Sequence, residues 1–146
     1  MAELTTFVFS ENIEQVPNPS GTGTSLNIIN PQNVFRPMFI PGTFSFSLTF
    51  GLIDVDTTKD HIVNFKLVYD EGENESNNIV VDTNNMNIPA NPTSDKKLPK
   101  EVNGIMFNLD FRNVPFRKAG KYFGIISLDG QEIAKKVLFV YPQESI

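Results

Sequence analysis

Residues 120–140 read GKYFGIISLDGQEIAKKVLFV, and the fold turns on how they are read. Two runs rich in aromatic and β-branched residues flank Asp129-Gly130. Asp-Gly signals a two-residue hairpin, because a type I′ turn holds both central residues at positive φ, which Gly and Asp tolerate best. With those two residues as the loop, Tyr122 faces Val137 and Ile126 faces Ile133 on one side. Phe123 faces Lys136 and Ile125 faces Ala134 on the other. The first side reads as core, with one inconsistency: Lys135 falls on it, opposite Gly124. Either the Lys135 stem lies over the glycine and its ammonium reaches water, or a bulge shifts the pairing.

The same period-two pattern extends outward along the chain. Over Thr43–Ile53, Phe44, Phe46, Leu48, Phe50 and Leu52 point one way, and Ser45, Ser47, Thr49 and Gly51 the other. That alternation predicts a half-buried strand. His61–Asp70 repeats it with Val63, Phe65, Leu67 and Tyr69 inward, and Asn103–Val114 with Ile105, Phe107, Leu109 and Phe111 inward. Pro115 is expected to end that strand. Shorter strands are predicted at 4–9, 25–29 and 79–82. Residues 30–42 hold three prolines, so they exclude a helix or a central strand and are expected to wrap an edge. Residues 83–103, with three prolines and five asparagines, read as a long loop: a crossover, a flap or a binding loop. No segment keeps a 3.6-residue period over three turns, and no internal repeat is present. The reading is an all-β, antiparallel β-sandwich of seven or eight strands in one domain spanning 1–146. Immunoglobulin-like topology is preferred, with a jelly roll as the alternative.

The totals agree. A chain of 146 residues with 13 Phe can bury a sufficient core. It has no Cys, which excludes thiol catalysis, cysteine-held zinc and disulfides, and fits a reducing compartment. The opening MAELTTFVFS lacks a basic segment followed by a long apolar run, and no apolar run approaches the ~20 residues a membrane span needs. A cytoplasmic protein without membrane contact is expected. Net charge is −5, unevenly spread: residues 1–85 carry 11 acids and 3 bases, residues 86–146 carry 6 acids and 9 bases. The overall acidity argues against nucleic acid as partner.

The opening FVFSENIE, its Gly/Ser joint into SLNIIN, and the ending with Gly120, Tyr122, Leu128-Asp129-Gly130 and a last strand closing in FV together resemble a family of small bacterial proteins of uncharacterised function. Its two alternating strands, acidic turn and proline-rich segment correspond to 44–53, 62–70 and 86–99. The resemblance implies an immunoglobulin-like sandwich and no activity. It also suggests a phage or prophage accessory protein.

No coherent catalytic set emerges. His61 is the only histidine, and its neighbour Asp60 would point to the opposite face of a strand. Asp54, Asp56 and Asp60 form one acidic turn and Asp70, Glu71, Glu73 and Glu75 another, at opposite ends of the strand between them. Neither has the ligand spacing of a calcium loop. No phosphate loop or dinucleotide motif is present. No catalytic residue, cofactor or metal is assigned. Lys96, Lys97, Lys100, Arg117, Lys118 and Lys121 carry most of the positive charge of the second half. Val34, Phe35, Met38, Phe39 and Ile40 are too apolar for a free loop: they either cap an open end of the sandwich or face a partner. The expected function is a non-enzymatic protein-binding or accessory domain, with Phe35, Met38, Phe39, Lys96 and Lys97 as contact residues. Homodimerisation through an exposed edge strand fits this reading. The alternative is a small-ligand or carbohydrate-binding module, which a concave aromatic face would favour.

Overall fold

The alternation in the middle of the chain becomes β4 (Gly42–Ile53), with Phe46, Leu48, Phe50 and Leu52 at most 1% exposed. A computed structural model describes residues 2–21, 23–70, 78–91 and 98–144. Around β4 stand β1 (Glu3–Pro17), β2 (Thr24–Gln32), β3 (Val34–Phe35), β5 (His61–Tyr69) and β6 (Ile79–Asp82). The remainder are β7 (Met86–Ile88), β8 (Gly104–Phe116), β9 (Gly120–Leu128) and β10 (Gln131–Val140), with one short 3-10 turn at Lys100–Val102. No described helix is long and apolar enough to cross a membrane.

The strands form two sheets, ordered β2-β1-β4-β8 and β3-β10-β9-β5-β6, with β7 also beside β5. They face each other across one apolar core, so the fold is an all-β sandwich. From β5, Val63, Phe65 and Leu67 enter that core with no exposed surface. Each such burial stabilises by roughly 1.5–3 kcal/mol relative to exposure. Phe9, Phe35, Phe46 and Phe116 join as tilted and edge-on aromatic pairs with centroids 4.6–6.5 Å apart.

The closing hairpin forms as read, then departs from the simple register. Asp129 and Gly130 take φ of 51° and 82°, as the tight turn requires. Gln131 pairs with Leu128 and Glu132 with Ser127, after which a bulge at Ile133 slips the ladder by one residue. Tyr122 therefore opposes Leu138, and Ile126 opposes Ala134. The slip passes the inward position from one lysine to the next. Lys135 moves to the outer face, where its Nζ lies 4.4 Å from the Phe123 ring centroid. Lys136 takes the place opposite Gly124.

Five further details differ from the sequence reading. Ten strands are present among the described residues, because two short edge pieces, β3 and β7, have too few residues to show a period. One pair, β3 with β10, is parallel. Pro115 does not end β8: it pairs with Thr43 inside the strand, tolerated because β8 lies at a sheet edge and needs no amide on its outer side. The 83–103 segment contains β7 and the 3-10 turn. The proline-rich 30–42 stretch does wrap an edge, leaving β2 at Gln32 and crossing to the other sheet as β3. β1 is longer than read. It leaves β4 after Ser10, and from Glu11 onward hydrogen-bonds to β2 alone as a two-stranded ribbon.

Candidate functional site

The segment running out of β3 lies alongside the segment running out of β10. Tyr141 N donates to Phe35 O (3.0 Å), Gln143 N to Pro37 O (2.8 Å) and Glu144 N to Met38 O (3.2 Å). Arg36 staples the two strips: its Nε donates to Tyr141 O at 2.9 Å and a terminal nitrogen to Pro142 O at 3.0 Å. Gln143 Nε2 returns a bond to Arg36 O at 2.8 Å. Backbone carbonyls on either side of Pro37 and at Pro142 are thereby satisfied. The strips carry apolar side chains outward: Val34, Met38, Phe39, Val137, Phe139 and Tyr141 are 39–53% exposed. Phe139 and Tyr141 stack with centroids 6.4 Å apart. Beside them, Phe123 is covered by the ammonium groups of Lys121 (5.2 Å) and Lys135 (4.4 Å), a cation–π pair on the outer sheet face.

Of the contact residues expected from sequence, Met38 and Phe39 lie on this corner. Phe35 does not. It has no exposed surface and packs on Phe9, Phe44, Phe46 and Phe116, so it plugs the end of the sandwich and cannot touch a partner. Its neighbours escape the plug because β3 alternates, sending Phe35 inward and Val34 outward. Lys96 and Lys97 lie outside the described residues, as do Glu71, Glu73 and Glu75. The remaining cations do not form one patch. Lys100 precedes β8 and Arg117, Lys118 and Lys121 follow it, so a strand of roughly 40 Å separates them.

A second candidate is a cleft of about 640 Å³ at the start of β8, lined by Thr57, His61, Ile88, Leu98, Val102 and Met106 among others. His61 stands at its wall with its side chain only 10% exposed. Its Nδ1 lies 2.7 Å from a carboxylate oxygen of Asp129 and its Nε2 lies 2.6 Å from Asp56 O. Both partners are acceptors, so the arrangement favours the imidazolium, with a proton on each ring nitrogen. The Asp129 hydrogen bond holds the His61 pKa above its ordinary value, against the opposing effect of burial. Asp129 is correspondingly held below the usual carboxylate range, first by His61 and then by the Ile62 amide. In this arrangement the ring has no lone pair to offer a nucleophile. It is a clamp joining the 54–60 turn to the hairpin turn. The acids of the first acidic turn also serve as structural acceptors: Asp56 receives the Thr58 amide and hydroxyl, and Asp60 the Ala90 amide. Among the described residues no three acids or histidines converge as a metal site. No Phe, Tyr or Trp is among the residues lining the cleft.

The third candidate lies between the sheets. β2 covers β1 only from Phe9 onward, and β3 covers β10 only at Phe139 and Val140. The edges of β1 from Glu3 to Val8 and of β10 before Phe139 therefore flank an open groove of about 320 Å³, lined by Leu4, Phe7, Gln32, Lys136 and Leu138. Gln32 Oε1 is buried there without a hydrogen-bond partner. Sequence reasoning missed this groove and the His61–Asp129 pair alike. The pair joins residues 68 positions apart, and no local pattern carries that.

No protein-family model matches the chain, and no curated protein is similar to it. Among solved structures it is similar to the Pseudomonas fluorescens alkylpurine DNA glycosylase AlkC bound to DNA containing an abasic site analog, at a TM-score of 0.47 and 11% identity. That likeness covers 95% of this chain and 30% of the glycosylase.

Proposed function

We propose that this protein is an immunoglobulin-like accessory domain that binds another protein through the corner formed by β3, the end of β10 and the strips beyond them. The observation carrying this is the concentration of exposed apolar surface. Among the described residues, six of the twelve exposed large hydrophobics sit on the two adjoining strips 34–39 and 137–141. A monomeric surface scatters such residues, and clustering them marks an interaction site. The strips are rigid, since six hydrogen bonds tie them together. A rigid apolar corner loses little entropy on docking.

The immunoglobulin-like reading rests on strand order and one side chain. β1-β4-β8 and β6-β5-β9-β10 correspond to the A-B-E and C′-C-F-G orders of that fold. Tyr122, at the start of the strand equivalent to F, donates its hydroxyl to Lys118 O at 2.5 Å, which is the tyrosine corner of such domains. Burial pushes its pKa up to about 12, keeping it a donor. Two residues on, where a disulfide-bearing member has cysteine, stands Gly124, with the rings of Phe7 and Phe65 crowding the space its Cβ would need. Aromatic packing replaces the disulfide in a chain with no Cys.

The test is affinity capture from the native host with the wild-type chain and with a Phe39→Glu/Tyr141→Glu variant, read by quantitative mass spectrometry. A protein retained by the wild type and lost by the folded variant supports the corner. Equal retention by both refutes it.

A further inference from the structure

Building on that protein-binding reading, we infer that the groove between β1 and β10 takes an extended segment of the partner as an added strand, with a carboxylate of that segment against Lys136. Three independent features point there.

First, the strand edge is open and correctly oriented. Tyr141 N donates toward β3, so the period of two directs the backbone groups of Phe139 and Val137 to the same side. β3 meets β10 only at Phe139 and Val140, and no described strand continues it past Val137. Strand addition uses such an edge, with main-chain bonds for affinity and alternate side chains for specificity. The crossover through Asn33 closes one end of the groove and sets the register of anything that enters.

Second, Gln32 Oε1 is a buried acceptor without a donor among the described residues. Buried polar atoms are nearly always paired, and an orphan asks for an explanation. A turn of the Gln32 side chain toward the groove brings this oxygen to a peptide N–H entering it.

Third, the groove is edged by an exposed cation. Lys136 lies on the inward side of β10 and takes part in none of the ion pairs among the described residues. Leu4 and Phe7 supply the apolar wall beside it. The matching ligand is an extended segment with a large apolar side chain two residues from an Asp or Glu. A second copy of this chain fits poorly. The bulge at Ile133 reverses which backbone groups point outward, leaving the stretch around Lys135–Val137 to pair. Two-fold pairing there sets Lys135 or Lys136 against itself, the arrangement by which edge lysines prevent self-association.

The experiment titrates the full chain with a capped nine-residue peptide of threonines carrying one leucine and one glutamate two positions apart. Its controls are a copy with lysine for glutamate and a copy with N-methylated backbone. Backbone amide resonances are followed by NMR. The expected result is a shift at Thr6 and Val137 with the glutamate peptide, at least tenfold weaker binding of both controls, and inversion of the charge preference by Lys136→Glu. Gln32→Leu should weaken the peptide while leaving the fold intact. Absence of shifts at Thr6 and Val137 at millimolar peptide, equal binding of the N-methylated copy, or indifference to Lys136→Glu each overturns the inference. So does concentration-dependent dimerisation that protects Val137 without peptide. If these fail while Phe39→Glu/Tyr141→Glu still loses its captured protein, the corner stands and the groove falls.

Discussion

Phe35 and Phe39 sit four residues apart in one proline-rich stretch, and replacing each by alanine separates plug from contact. Phe35 has no exposed surface and touches four other rings, whereas Phe39 is 53% exposed. Transfer of a fully buried ring contributes roughly 1.5–3 kcal/mol. The cavity left among rings anchored on different strands cannot collapse fully, which raises the cost of Phe35→Ala to about 3–5 kcal/mol. At about 3 °C per kcal/mol for a chain of this size, Tm should fall by about 9–15 °C. Phe39→Ala removes little buried area, and its effect should stay within ~0.5 kcal/mol. Urea unfolding by linear extrapolation measures both. A Phe35→Ala loss below ~1 kcal/mol, or equal losses for the two variants, would refute the placement of β3 as the end plug.

Two other predictions concern the clamp and the glycine beneath the rings. The His61 pKa is raised by Asp129, so the stability this ring adds is complete below its unfolded value of about 6.5 and fades as pH climbs through the folded value. Asp129 is lowered, so its share is complete above about 3.9 and fades as pH falls through its folded value. The stability difference between wild type and His61→Gln should therefore be widest between about pH 4 and 6.5, and a difference independent of pH would remove the imidazolium. At Gly124, an added Cβ meets Phe7 Cζ at 3.0 Å and Phe65 Cε1 at 3.1 Å. Gly124→Ala should cost about 1–3 kcal/mol through displaced rings, and a variant as stable as the wild type in urea would show the rings are free to retreat.

Alternation by itself specifies the two-layer fold. The side of each strand that Phe46, Leu48, Phe50, Val63, Phe65 and Phe107 occupy follows from a period of two, and Asp129-Gly130 announces its turn by the φ angles it tolerates. These are local properties of the backbone, written in neighbouring residues. The corner was half legible: Met38 and Phe39 are outside as read, while Phe35 turned inward because the crossover happens to form two residues of strand beside β10. What only tertiary structure decided are the relations between distant segments. The bulge at Ile133 exchanges the roles of Lys135 and Lys136. His61 finds its acid on a turn made by the far end of the chain. Two edges stay open because β2 and β3 end where the chain must cross between sheets. Each depends on which strand lies beside which, and side-chain periodicity carries no record of that.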